Sequence, residues 1–265
     1  MTFQELSGRK RIGLALGGGV ARGLAHIGVL TVLEKAGIPV DYVAGTSAGS
    51  IMGAMYCAGI PVEQIKSLTL KLRWWQLARP VWPRRGFVNF SPLARWLVAN
   101  LGDLRIEDLK IPFTAVAADL ASGEPVRLNS GPLAPAVQAS CSVPGFVEPV
   151  ELDGRLLGDG SLVDTVPVSI LREMGAEYVI GVDIFASTIR PRWGVFGMGF
   201  NALEILVRRA GGGIGEADCL ISPDLRGKTY LRLSKREEFF LLGEQAAQSH
   251  LERVVSDLAL PVRSL

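Results

Sequence analysis

An α/β fold on a mostly parallel sheet is predicted by two strand–turn–helix units near the start of the sequence. Arg11 to Leu16 is a short apolar run ending in Gly17-Gly18-Gly19, and Ala21 to Ala36 follows as a mostly apolar segment of helix length. Tyr42 to Ala44 is a second apolar run, and behind it come Gly45-Thr46-Ser47-Ala48-Gly49 and a small-residue stretch to Ala58. Strand, glycine loop, helix and strand again make a right-handed crossover between parallel strands the natural topology. Both glycine-bearing turns then lie at one end of the sheet, with Gly17 to Gly19 beside Ser47.

The remaining elements follow in order. The helix over 21–36 is closed by Gly37 with Pro39 beyond it. The small residues from Ala48 to Ala58 suit a helix packed closely on the sheet, and Val62 to Leu72 is a further helix with Pro61 at its start. The segment from Arg73 to Arg85 mixes Trp, Arg and Pro with neither helical nor strand period. It suits a lid or an interfacial surface, with Trp74, Trp75 and Trp82 in peripheral contact with a membrane; a structured loop with its tryptophans in the core is the alternative. Ser91-Pro92 opens a helix by capping, and Gly102 closes it. Phe113 to Ala118 is a strand, joined by Val126 to Leu128 after the Ser122-Gly123 turn, and Pro132 to Ala139 is a helix. Residues 138–146 form a buried loop near the site, and Asp153-Gly154 is a hairpin turn. Tyr178 to Asp183 is another apolar strand. Trp193 to Phe200 is a second interfacial candidate, leading into an amphipathic stretch that ends in Arg208-Arg209. Ser234 with Glu237 makes a capping box for a helix running to about Asp257.

Composition bounds the function. With 265 residues, 48% of them hydrophobic, and 31 glycines, one large core and one domain over 1–265 are expected. Its motif-bearing part runs from about 12 to 185 and a helical part from about 190 to 265. A net charge of +2 without a basic tract argues against nucleic-acid partners. Three scattered cysteines, Cys57, Cys141 and Cys219, and two histidines, His26 and His250, support neither a disulfide framework nor a multi-histidine metal site. No metal and no cofactor are expected, and a reducing, cytoplasmic compartment fits best. Arg9-Lys10-Arg11 before an apolar run imitates a signal peptide, but Gly17-Gly18-Gly19 interrupts the run. No apolar stretch reaches the ~18 residues that a membrane span needs.

The chemistry centres on Ser47, the one serine with glycines two residues to either side. A strand turning sharply into a helix exposes the central hydroxyl and points the helix's free N–H groups and dipole at any oxyanion formed there. The loop Gly17-Gly18-Gly19-Val20-Ala21-Arg22-Gly23 fits neither the dinucleotide fingerprint, which wants glycine where Arg22 stands, nor the phosphate loop. Backbone N–H groups of Gly18 and Gly19 would instead hold an oxyanion, at about 3 kcal/mol per donor. Arg22 would hold the loop, face a phosphate head group or lie on the surface. For a base, histidine is in poor supply: His26 reads as a core residue and His250 as a surface one. Among carboxylates Asp159, flanked by glycines, has the freest backbone, with Asp41, Asp119 and Asp183 at strand edges ranked slightly lower. A pKa gap of even ~8 units makes full proton transfer from serine to aspartate cost about 11 kcal/mol. Proton removal must therefore be concerted with attack, with a carboxylate raised by burial.

The glycine loop, Gly45-Thr46-Ser47-Ala48-Gly49, the stretch 139–149 and Asp159-Gly160 together resemble the bacterial branch of the patatin-like phospholipases, over about 12–185. The resemblance implies a three-layer α/β/α fold with a central, mostly parallel sheet. It also implies Ser47 as nucleophile and Asp159 as base, with Gly17, Gly18, Gly19, Arg22 and Ala48 as the oxyanion and substrate-binding set. The implied reaction is metal-free hydrolysis of fatty-acyl esters in lipids. The family usually has Asp-Gly-Gly where this chain has Asp159-Gly160-Ser161, so the turn after the base is expected to differ. An acyltransferase using the same two residues and a lipid-binding module with little turnover are the alternatives. Acyl length, head group and oligomeric state leave no signal in the sequence.

Overall fold

The computed structural model describes residues 9–185, 194–211, 213–226 and 236–260. The first half of the chain contributes β1 (Ile12–Leu16), α1 (Leu24–Lys35), β2 (Tyr42–Thr46), α2 (Ala48–Cys57), α3 (Val62–Lys71) and α4 (Trp74–Leu77). A small ribbon, β3 (Arg79–Pro80) with β4 (Val88–Asn89), leads to α5 (Ser91–Leu101), β5 (Phe113–Asp119) and β6 (Pro125–Leu128). Then come α6 (Leu133–Ser140), β7 (Val150–Leu152), β8 (Arg155–Asp159), α7 (Val168–Met174), β9 (Tyr178–Val182), α8 (Val195–Arg209), β10 (Cys219–Ile221) and α9 (Arg236–Asp257).

The main sheet runs in the order β10-β9-β1-β2-β5-β8-β7, with β6 also on β5. From β10 to β5 all pairings are parallel, and β6, β8 and β7 add an antiparallel side. The expected mostly parallel sheet between helices is therefore present. Alternation along β1 explains the two helical layers. Ile12, Leu14 and Leu16 face the larger core with α1, α2, α5, α6 and α9, and Ala15 faces a smaller core built on α7. The small residues on that second face let α7 approach: a side chain at Gly13 would meet Ala176 Cβ at 2.8 Å.

Most element boundaries fall within a residue or two of those read from the sequence. The helix expected over 21–36 begins instead with a 3-10 turn, Val20–Gly23, before α1. Ser91 does not cap α5: its Oγ is buried without a partner, and its N–H donates to Asn89 Oδ1 at 2.7 Å. Asp153 and Gly154 both take positive φ, 50° and 73°, in the hairpin turn between β7 and β8. His250, expected on the surface, is half-buried with Nδ1 2.8 Å from the Ala246 carbonyl. The motif-free tail supplies α9, which packs along α1 where glycines remove both obstacles. A Cβ at Gly28 would overlap the Phe240 carbonyl, and one at Gly243 would overlap the Ala25 carbonyl. Trp193 and Ser234, the latter expected as a cap, lie outside the described residues.

Candidate active site

Ser47 sits between β2 and α2 with φ 51° and ψ −119°, a strained conformation for any residue but glycine. The flanking glycines permit it: a Cβ at Gly45 would lie 2.6 Å from the Gly49 carbonyl oxygen, and one at Gly49 would overlap the Leu16 carbonyl. Side-chain hydroxyls then hold the turn. The Ser47 N–H donates to Ser140 Oγ at 2.9 Å, and Ser50 Oγ donates to the Ser47 carbonyl at 2.7 Å. Thr46 Oγ1 donates to the Asp164 carbonyl at 2.9 Å, tying β2 to the chain that follows the aspartate.

Asp159 ends β8, opposite Ala117 of β5, and its N–H donates to the Ser142 carbonyl at 2.8 Å. Ser47 Oγ donates to its Oδ2 at 2.7 Å, and the Ser161 N–H donates to its Oδ1 at 2.8 Å. The residue is 3% exposed. Burial pushes its carboxyl above the ordinary carboxylate range, and the hydrogen bonds from Ser47 and Ser161 pull it partly back. Gly160 lets this turn reach the sheet, because a Cβ there would overlap the Val116 carbonyl. Ser161 stands where the resemblance expected glycine. Its Oγ occupies the space a side chain at Gly18 would need, so the bare Gly18 accommodates the departure.

The other candidates for base lie elsewhere. Asp41 is ion-paired with Arg9, Asp119 accepts from the amides of its own turn, and Asp183 accepts from the Phe185 N–H at 2.8 Å. His26 is a core residue, as expected, but not an idle one. Its Nε2 lies 2.8 Å from the Gly17 carbonyl, which can only accept, so Nε2 carries the proton. Burial drives its pKa down to about 4, leaving a neutral ring that pins the glycine loop.

Three members of the expected oxyanion and substrate-binding set, Gly17, Gly18 and Arg22, need correction. The Gly17 N–H donates to the Val182 carbonyl at 3.0 Å and the Gly18 N–H to the Thr165 carbonyl at 3.1 Å, because the loop is stitched to neighbouring chain before it reaches the serine. Among the described residues, the N–H groups of Gly19 and Ala48 have no acceptor. Arg22 is 2% exposed, not on the surface, and lines neither chamber beside Ser47; its charge instead opposes the upward shift that partial burial gives Asp183. Ser140, Ser142 and Thr165 were not singled out in the sequence; only the position of the first two in the loop before Pro144 hinted at a role.

Two apolar chambers meet at Ser47. The larger, about 310 Å³, also touches Asp159 and Gly19 and is walled by Val88, Phe146, Leu162, Leu203 and Val207. The smaller, about 130 Å³, touches Ala48 and is walled by Ile51, Met52, Leu72, Leu77 and Leu93. Val20, Trp74, Phe90 and Val143 border both. Trp75 is 66% and Trp82 80% exposed, so those tryptophans are not core residues. Among the described residues, no group of His, Cys, Asp and Glu could hold a metal ion, and no helix is long and apolar enough to cross a membrane.

The profile of the family described as patatin-like phospholipase matches residues 14–172, more than half the chain. The chain belongs to that family. An uncharacterized NTE family protein of Mycobacterium tuberculosis is 37% identical to this patatin-like chain over 188 residues, covering 70% of it and 52% of the relative. Neuropathy target esterase sws of Drosophila melanogaster is 37% identical over 185 residues, covering 65% and 13%. Lysophospholipase nte1 of Aspergillus fumigatus is 29% identical over 295 residues, covering 98% and 19%. The chain thus spans about half the length of the mycobacterial relative and a fifth or less of the other two. VipD from Legionella pneumophila shares the fold at a TM-score of 0.63 and 14% identity, over 92% of this chain and 67% of that one.

Proposed function

We propose that this patatin-like chain is a serine acyl hydrolase cleaving fatty-acyl esters of phospholipids or lysophospholipids, with Ser47 as nucleophile and Asp159 as base. The observation that carries the reading is the buried 2.7 Å hydrogen bond from Ser47 Oγ to Asp159 Oδ2 at the junction of two apolar chambers. Ser47 Oγ attacks the ester carbonyl carbon as its proton passes to Asp159, whose raised pKa narrows the gap between donor and acceptor. Negative charge gathers on the carbonyl oxygen, where the N–H groups of Gly19 and Ala48 donate, each worth about 3 kcal/mol in the transition state. The intermediate collapses as Asp159 returns the proton to the leaving alkoxide, leaving the acyl group on Ser47. Water then attacks the acyl carbon, giving its proton to Asp159; the fatty acid leaves and Ser47 regains its proton.

The exposed side chains of Trp75, Trp82 and Phe87, in one stretch of sequence with the exposed Arg73, Arg79, Arg84 and Arg85, fit a surface that rests on a lipid interface. The pair Trp75→Ala and Trp82→Ala is expected to weaken co-sedimentation with anionic vesicles while leaving the fold intact. Equal sedimentation by wild type and double variant would remove this part of the reading.

The decisive experiment combines labelling by a fluorophosphonate probe with turnover on a panel of lysophospholipids, diacyl phospholipids and short-chain esters. Wild type is expected to label and turn over; Ser47→Ala should do neither. Ester hydrolysis unchanged in pure Ser47→Ala protein would sink the assignment. Adding a lysolipid acceptor separates hydrolysis, which yields free fatty acid, from acyl transfer, which yields a new diacyl lipid. A protein that binds lipid but neither labels nor turns over would be the binding module.

A further inference from the structure

The serine stands at a junction, and the base does not. The larger chamber is lined by both Ser47 and Asp159, whereas the smaller is lined by Ser47 and not by Asp159. In the collapse of the tetrahedral intermediate, the bond from the acyl carbon to the alcohol oxygen breaks and that oxygen takes the proton held on Asp159. The leaving alcohol must therefore depart on the aspartate's side. The acyl carbon stays bonded to Ser47 Oγ, so its chain runs the other way.

Resting on the hydrolase reading above, we infer that the smaller chamber receives the acyl chain being cleaved and the larger receives the leaving alcohol, which must itself be bulky and apolar. A space of about 310 Å³ is given to the alcohol and only about 130 Å³ to the acyl chain. The described walls of the larger chamber are almost entirely aliphatic and aromatic side chains, which a bare glycerol head would leave in contact with water. Among the described residues that line it, the charged one besides Asp159 is Glu204, a buried carboxylate paired with Arg208 at 3.3 Å. A phosphate pushed in beside it would meet like charge and lose its hydration. The substrate class that fits is a two-chain glycerolipid, its second chain in the larger chamber and its head group outside. A single-chain lysophospholipid, whose leaving alcohol is wholly polar, leaves that chamber unfilled.

The test uses the full chain, in mixed micelles of one detergent, on a diacyl phospholipid and the lysophospholipid of the same head group. A nitrophenyl ester series from acetyl to palmitoyl reads acyl length with the leaving group held constant. Wild type is expected to favour the diacyl lipid in kcat/KM by at least about tenfold, since each buried methylene is worth about fourfold. Ile51→Phe, or Leu77→Phe on the half-exposed α4 should the first not fold, is expected to move the acyl optimum to shorter chains and keep the diacyl-to-lyso ratio. Leu203→Phe is expected to lower that ratio and leave the acyl optimum in place. Ser47-dependent turnover with a preference for the lysolipid, or with the two variant effects exchanged, overturns this inference and leaves the hydrolase reading standing. Absence of Ser47-dependent turnover on every ester brings down both.

Discussion

The two sides of the dyad are held by different physics. Ser47 stands on a parallel strand that turns at once into a helix, and the energy is stored in its backbone, at φ 51°. Asp159 has an ordinary backbone, φ −55° and ψ 126°, on an antiparallel strand; there the energy lies in a carboxylate taken out of water. One side is a problem of shape and the other of charge. The difference teaches that a reactive pair need not be strained twice: a rigid elbow presents the hydroxyl, and burial alone readies the carboxylate to receive a proton.

The largest effects should separate these costs. Ser47→Ala and Asp159→Asn are each expected to lower turnover by on the order of 10⁴-fold. Their stabilities should diverge. Asn at 159 still accepts from the Ser161 N–H and no longer buries a charge, so thermal melting should rise. Ala at 47 leaves the buried carboxylate short of a donor, at a loss of about 1–3 kcal/mol. If both variants melted together, the division into shape and charge would fail. Because the carboxyl lies above 3.8, the acid limb of the pH–rate profile should also fall above the ordinary aspartate range, as protonation removes the base.

Next in size come the glycines. Gly49→Ala forces a methyl into the Leu16 carbonyl, and Gly160→Ala forces one into the Val116 carbonyl. Each backbone wall is part of the sheet and cannot yield, so losses of about 3 kcal/mol or more are expected in urea unfolding. A tolerated Gly160→Ala would show that the aspartate's side is the softer of the two.

The same contrast decided what the sequence could disclose. The elbow is written in consecutive residues, and Gly45, Ser47 and Gly49 announce a turn whose geometry follows from the lack of side chains. Asp159 was marked only by its glycines; its meeting with Ser47 depends on β8 pairing with β5, a long-range register that local pattern does not carry. Gly18 misled because a bare amide looks available from sequence, yet the Thr165 carbonyl reaches it from the chain beyond the aspartate. The chambers were illegible for the same reason, their walls coming from elements as distant as α2, α5 and α8. Arg22 was left open between holding the loop, facing a head group and lying on the surface, because position on a helix start says nothing of what later folds over it.

His26 offers a third kind of cost, a titratable ring kept neutral behind the elbow. Its folded pKa of about 4 lies below the ordinary 6.5, so the unfolded chain binds the extra proton. Its contribution is whole above pH 6.5 and is lost as pH falls toward 4, by about 3 kcal/mol in all. Asp159 slopes the opposite way, since a raised carboxyl favours the folded state at low pH. Urea midpoints measured across this range should fall on acidification, and His26→Gln, which can still donate to the Gly17 carbonyl, should flatten the curve. A His26→Gln curve with the same slope as the wild type's between pH 6.5 and 4 would place the ring in contact with water.

The smallest effect probes strain beside the elbow. Val20 takes φ 52°, unfavourable for a β-branched side chain, and stands 41% exposed where both chambers open. Val20→Gly removes strain of about 1–3 kcal/mol and gives back about 0.5–1 kcal/mol in chain entropy, together with some apolar contact. A net gain of about 1 kcal/mol in urea unfolding is expected. Turnover should fall nonetheless, because the Gly19 N–H loses the stiff neighbour that fixes its direction. A variant that is less stable and equally active would mean that Val20 is held by its contacts rather than strained against them, and that the elbow at Ser47 is the one stressed turn at this junction.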